Sequence, residues 1–290
     1  IQNCNSTPFT SAAENSPKRA DYPSYMSIDR ENFRGIHAIR LLENQKDFTI
    51  DKLISLAYDP VLPAFEVLIP GLVAAIDNQG GDADLKEVAN VLRDWDFKVA
   101  KTSIAMTLAH YYGSAYGAAR TAPTNLTGNA VYEYYGNQSP LAERVEIIEK
   151  VIQKLTDDFG TWKMPWGEVN RFQRRPGGVD MTFNDDEPSI PVGLASGRWG
   201  ALAAYGMRGQ HDVKKIYGTR GNSFVAVVEF GDKVRAKSLL AGGQSGDPNS
   251  PHFNDQAQRY ADAQFKDVAY YRADVEKRAE ETYAPGKRTN

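Results

Sequence analysis

The strongest constraint on this chain is a change of hydrophobic period near residue 177. Before it, apolar residues recur at helical spacing, most clearly in Leu141, Val145, Ile148, Val151, Ile152 and Leu155, one face of an amphipathic helix. After it, the apolar residues fall in short runs between Gly, Arg and Asp, at Gly178–Phe183, Ala201–Met207, Ser223–Phe230 and Lys233–Leu240. Runs of that length, rich in Val, Phe, Tyr and Leu, read as strands. Helices first and strands later predict an α+β fold: a mainly helical first half, short strands after about residue 177, and a long C-terminal helix.

Local signals refine this. Residues 1–30 carry turn chemistry and predict an extended surface segment; 31–160 form the helical part; 177–240 hold the strands; and about Asn254–Tyr283 reads as the terminal helix. Glu31–Glu43 reads as the first helix. Thr49 is a candidate N-cap, Asp84 with Glu87 resembles an acidic capping box, and Ser139-Pro140 is a capping hydroxyl before a Pro at the first helical position. Val61–Ile76, interrupted by Pro63, Glu66 and Pro70, reads as a buried helix pair. Phe224–Phe230 is nearly all apolar, as in a strand covered on both faces. Gly231-Asp232 then marks a hairpin turn. So small a sheet would leave an open edge unless strands from elsewhere complete it, and Ile1–Asn5 should run extended to end near that sheet.

Composition enters mainly as exclusion. A net charge of −3 gives no broad cationic footprint for nucleic acid. No apolar run reaches the roughly 20 residues needed to span a bilayer. Cys4 is the only cysteine, so no intrachain disulfide forms. The N-terminus has no basic start followed by an apolar run, so it is not read as a signal peptide. With 290 residues and 41% of them hydrophobic, a substantial core is expected.

No complete catalytic motif stands out. The four histidines are scattered without metal-site spacing. Asp185-Asp186-Glu187 has calcium chemistry but reads more readily as a solvated loop. Gly242-Gly243-Gln244-Ser245-Gly246 lacks the spacing and Lys of a phosphate loop, and reads as a turn.

Several stretches taken in order resemble the β-chain of the penicillin acylase family, which includes acyl-homoserine-lactone acylases. Gln2-Asn3-Cys4-Asn5-Ser6-Thr7-Pro8-Phe9 followed by Asp21-Tyr22-Pro23 is similar to the segment bearing that family's oxyanion asparagine. Phe33-Arg34-Gly35-Ile36-His37 resembles the start of its arginine-bearing helix. Trp166-Gly167-Glu168-Val169-Asn170-Arg171-Phe172 is similar to a stretch of the lactone-acylase branch. Tyr217-Gly218, Gly221-Asn222-Ser223-Phe224 and Gly243-Gln244-Ser245-Gly246 resemble the closing strands, and the Pro251–Gln256 run resembles the terminal helix.

The resemblance implies one incomplete domain of an αββα N-terminal nucleophile hydrolase, covering the C-terminal part of the β-chain. Members cut an acyl amide with a β-chain N-terminal Ser whose own amine is the base. Here residue 1 is Ile, so the nucleophile is expected outside this chain and the chain alone is expected to be inert. Asn5 is the implied oxyanion donor, with Asn3 as competitor. Arg34 is the implied positioning group for that asparagine and the terminal amine, and Trp166 is a candidate at the substrate pocket. The implied partners are the α-chain and the N-terminal part of the β-chain, plus a small-molecule acyl amide, with no nucleic acid and no membrane. No cofactor is implied in this chain; calcium belongs to the complete enzyme, with Asp29 only a loose match for a ligand. A periplasmic or secreted location is implied. A non-catalytic scaffold or binding protein of acylase descent is the alternative.

Overall fold

The computed structural model describes residues 2–177, 181–284 and 286. Its first half is a helical layer: α1 Phe33–Leu42, α2 Ile50–Ala57, α3 Pro63–Gln79, α4 Ala83–Arg93, α5 Ile104–Ala119, α6 Asn129–Glu133, α7 Leu141–Phe159 and α8 Trp166–Val169. Helix α3 is the central element, packed against α4, α7 and the π-helical turn Tyr134–Gln138. It buries Phe65, Leu68, Ile69, Leu72 and Ile76 completely or nearly so.

Two small sheets follow. One has the order β2-β1-β4-β3, built from β1 Asn170–Phe172, β2 Ile190–Pro191, β3 Tyr205–Arg208 and β4 Ile216–Gly221. Its β1 and β4 run parallel and its other pairs antiparallel. The second sheet is antiparallel with order β5-β6-β7, from β5 Phe224–Glu229, β6 Arg235–Leu240 and β7 Lys266–Asp267. Two short helices, α9 Ala257–Ala261 and α10 Arg272–Arg278, complete the described elements. The α+β expectation holds.

Several local expectations are corrected. The supposed helix pair is one helix, α3, running through Pro70. Pro70 deprives the Glu66 carbonyl of its helical partner, a cost offset by burying the apolar side chains around it. The cap of α4 is Asp82, which accepts from Leu85 N at 2.8 Å, two residues before the predicted capping box. Thr49 does cap α2, accepting from Lys52 N. Ser139 makes no cap bond to α7. Its hydroxyl is taken by Arg144 Nε and Tyr116, because the buried guanidinium of Arg144 needs acceptors more than an exposed helix start needs a cap. Residues 8–21 hold three short 3₁₀ turns within the segment expected to be extended.

Strands begin at Asn170, earlier than expected, and the Ala201–Met207 run is a strand only from Tyr205. Of the predicted strand at Gly178–Phe183, residues 178–180 lie outside the described residues, while Met181–Phe183 form no strand and Phe183 instead stacks on Tyr217 at 4.7 Å. The hairpin around Gly231-Asp232 forms, with Glu229 opposite Arg235. Strand β5 is not covered twice: Val227 is buried, whereas Phe224 and Val228 are exposed. It is also an edge strand, so among the described residues an apolar edge does stand open. The single terminal helix is broken. Ala263 sits at φ +52, Phe265 packs on Tyr58, and Val268 N donates to Ala236 O beside β6, so unpaired strand groups capture the chain that helical propensity would have continued.

Two stability predictions arise from the helical core. A methyl added at Gly71 on α3 would lie 1.7 Å from the carbonyl oxygen of Gly136, so these two backbones approach only without side chains. Gly71→Ala is expected to cost at least about 2 kcal/mol in chemical denaturation through overpacking; a loss under about 0.5 kcal/mol would show that the contact yields.

The second concerns His110, ringed by Tyr111, Trp166 and Trp199, with Nδ1 accepting from Trp199 Nε1 at 3.1 Å. Burial first, and the charge of Arg198 second, push its pKa down to about 3. The unfolded chain therefore takes up a proton below the ordinary imidazole value of about 6.5 that the folded chain refuses. Stability is expected to fall as pH drops from about 6.5 towards about 3, and His110→Gln, which keeps an acceptor for Trp199, should reduce that slope by one proton. An unchanged slope would remove His110 as its source.

Candidate active site

The first turn of α1 grips the N-terminal loop. Asn32 caps the helix, its Oδ1 accepting from Gly35 N at 3.0 Å while its Nδ2 donates to the carbonyls of Cys4 and Asn5, each at 3.1 Å. Two residues on, Arg34 Nη2 donates to Asn5 Oδ1 at 2.7 Å and to Cys4 O at 2.8 Å. A guanidinium can only donate, so the oxygen end of the Asn5 amide must face Arg34 and its NH₂ end must point elsewhere. Among the described residues no acceptor bonds that Nδ2. Asn5 itself lies at φ +54, a left-handed conformation that Asn tolerates better than most residues. Asn5 is thus not extended, contrary to that part of the expectation for Ile1–Asn5, but the loop does end near the sheet, sharing a cavity wall with Gly206 of β3 and Arg220 and Gly221 of β4.

Asn3 has the other role open to an asparagine here. Its Oδ1 accepts from Asn5 N at 2.8 Å, a local turn bond that occupies the side chain. Arg34 is held by its surroundings as well: a Cβ at Gly197 would come within 2.9 Å of its Cδ, so the guanidinium stem runs through space that only glycine leaves. One turn further, buried His37 bridges Gly200 O at 2.9 Å and Asp59 Oδ1 at 3.1 Å, fixing α1 to two neighbouring segments. Cys4 lies between these groups. Burial pushes its thiol pKa up, opposed by the nearby Arg34 charge.

Asn5 and Arg34 open onto a cavity of about 590 Å³ whose wall also includes Tyr132, Arg198, Arg220 and Asn222. A second cavity of about 260 Å³ shares Arg34 and Asn222 but is otherwise largely apolar, with Leu41, Leu42, Leu53 and Leu56 on its wall. Arg34 and Asn222 thus separate a polar space from an apolar one.

Other sequence candidates fall elsewhere. Arg40 is exposed and paired with Glu66 at 2.7 Å, away from the Asn5 loop. Trp166 is 0% exposed, with its indole donating to Leu194 O, so the expectation of a substrate contact is corrected: it is a core side chain. The Asp185 carboxylate accepts from Lys214 N and Tyr217 OH, and Glu187 pairs with Arg175, so these acids serve the loop itself. Among the described residues no group of three His, Cys, Asp or Glu converges that could hold a metal ion. Sequence reasoning missed Asn32, although an asparagine just before the apolar start of a helix is a capping signal that could have found it. Arg198, Arg220 and Asn222 carried no local signal of a role, since the turn and strands holding them are far from Asn5 in sequence.

A family model described as penicillin amidase matches residues 2–277. The chain belongs to the penicillin amidase family. The family is one of hydrolases. Among solved structures the chain is similar to a thermostable penicillin G acylase from Alcaligenes faecalis, at 13% sequence identity and a TM-score of 0.45. That likeness covers 93% of this chain and 56% of the other, so the chain spans little more than half the length of the acylase chain it matches. In this member of the family Asn5 and Arg34 are in direct contact, and Trp166 is fully buried.

Proposed function

We propose that this chain supplies the oxyanion-binding side of an acylase that hydrolyses the amide between an acyl chain and an amine nucleus, such as a homoserine lactone or a β-lactam. The bond from Arg34 Nη2 to Asn5 Oδ1 carries the reading, because it leaves the amide's donor end for a developing negative charge. In the complete enzyme a β-chain N-terminal Ser, supplied by residues outside this chain, attacks the carbonyl with its own amine as base. The carbonyl oxygen takes the electron pair and receives a hydrogen bond from Asn5 Nδ2. Collapse expels the amine, which leaves with the serine proton, and water then releases the acyl group. Arg34 touches Asn5 and acts as a positioning residue.

The α-chain and the N-terminal part of the β-chain are the partners of this reading, and autoproteolysis of a precursor creates the nucleophile. This chain alone is expected to be inert. A periplasmic or secreted location accords with the family; no helix among the described residues is long and apolar enough to cross a membrane. The test is hydrolysis of chromogenic acyl amides of graded chain length by the processed full-length protein. Release of amine with a Gly-Ser cleavage point upholds the enzyme, whereas an uncleaved precursor that leaves every amide intact means a scaffold.

A further inference from the structure

One side chain holds the left-handed turn that carries Asn5. Asn32 Nδ2 lies 3.1 Å from the carbonyl oxygen of Cys4 and 3.1 Å from that of Asn5, the two carbonyls that flank the Asn5 Cα. In extended backbone successive carbonyls point to opposite sides, so one nitrogen does not reach both. At φ +54 the chain turns, and both carbonyls face Asn32. The amide cannot be reversed, because its Oδ1 accepts from Gly35 N at 3.0 Å and a carbonyl only accepts. Downstream the loop is anchored separately: Thr7 N donates to Arg30 O at 3.1 Å, and buried Ser6 lies so near α1 that a Cβ on Gly35 would sit 2.9 Å from its hydroxyl. Cys4 and Asn5 are less enclosed, the first half-buried and the second exposed. Arg34 holds Cys4 O and the Asn5 side chain, but its bonds leave the Asn5 carbonyl to Asn32. The bond from Asn5 N to Asn3 is internal to the loop and travels with it.

We propose that Asn32 is a positioning residue for catalysis: by gathering the two carbonyls it fixes the backbone turn from which the Asn5 amide reaches the carbonyl under attack. The inference rests on the acylase reading above. Without Asn32 the loop samples several turns, only a fraction of which aim Nδ2 at the developing charge, and turnover falls with that fraction. Ground-state binding does not use this donor, so KM is spared. Asn32 has a second task, capping α1, and its two ends separate the tasks. Asn32→Ser and Asn32→Asp keep an acceptor for the cap, since Ser, Asp and Asn cap about equally well. Neither gathers the carbonyls: a carboxylate has no donor, and a serine hydroxyl carries a single hydrogen on a shorter stem.

In the processed full-length enzyme N32S and N32D should each lower kcat on the order of 10- to 30-fold, the effect of losing two neutral hydrogen bonds, while KM moves little. D82A is the control, because Asp82 caps α4, which borders neither the polar nor the apolar cavity, and its loss lowers stability without touching the loop. A role confined to stability predicts the reverse order, with D82A worst and N32S and N32D nearly silent in turnover; that result overturns the proposal. A second readout needs no turnover. Cys4 carries one of the pinned carbonyls, so its alkylation by iodoacetamide, followed by peptide mass spectrometry, should quicken several-fold in N32S and stay unchanged in D82A. The neutral variant serves here because a new carboxylate beside the thiol would itself slow the reaction. A fall in kcat with alkylation unchanged also overturns the proposal. If the unaltered enzyme cleaves no amide, the acylase reading falls, while faster alkylation in N32S still upholds the pin on the loop. Cleavage at an unchanged kcat in both variants keeps the acylase and removes Asn32 from its machinery.

Discussion

Replacing Asn5 by alanine in the processed full-length enzyme is expected to lower kcat on the order of 10²- to 10³-fold while KM moves little. The side chain has two ends with different tasks. Its Oδ1 is held by Arg34 at 2.7 Å, and its Nδ2 is left as a donor. A donor aimed at a charge that exists only in the tetrahedral intermediate contributes to the barrier and not to ground-state binding, so the loss appears in kcat. Asn3→Ala is the control: its amide bonds the backbone of Asn5 at 2.8 Å, and its removal loosens a turn without deleting the donor. Its effect should stay within about tenfold, as for loss of one neutral hydrogen bond. If Asn3→Ala shows the large loss and Asn5→Ala does not, the oxyanion donor is Asn3.

The next largest effect is expected at Arg34. One of its nitrogens holds both Asn5 Oδ1 and Cys4 O, so the planar group locks the loop and the amide together. Arg34→Lys keeps the charge but loses the planar fork, and kcat/KM should fall on the order of 10- to 100-fold. Arg34→Gln also removes the charge. A cation near the nucleophile's amine disfavours its protonated form, so losing it raises the amine's pKa, and the acid limb of the kcat/KM profile should move to higher pH. Arg40→Lys should be nearly silent, because Arg40 is an exposed partner of Glu66. Equal tolerance of Lys at positions 34 and 40, read with a chromogenic acyl amide, would remove Arg34 from the site.

Much of the helical half was legible from spacing. The run from Val145 through Ile148 and Val151 to Leu155 marked α7 because its buried face repeats every three or four residues, and Ile148 and Leu155 are indeed fully buried. Helix ends were less legible. Ser139 looked like a cap, but Arg144 and Tyr116, brought close by packing, took its hydroxyl. The terminal helix failed for a related reason: β6 offered bonds to residues 266–268 that no local pattern announces.

By itself the sequence determined the α+β order, the helical periodicity, and, through resemblance, the pairing of Asn5 with Arg34 as candidates 29 residues apart. Those features live in local spacing and short motifs, which a linear reading can see. Only the tertiary structure decided which asparagine faces the arginine, that Trp166 is core, and that Arg198 and Arg220 share a wall with Asn5. A hydrogen bond is settled by direction and distance in three dimensions, and long-range contacts between α1, the Gly197–Trp199 turn and β4 leave no periodic trace in the chain that makes them.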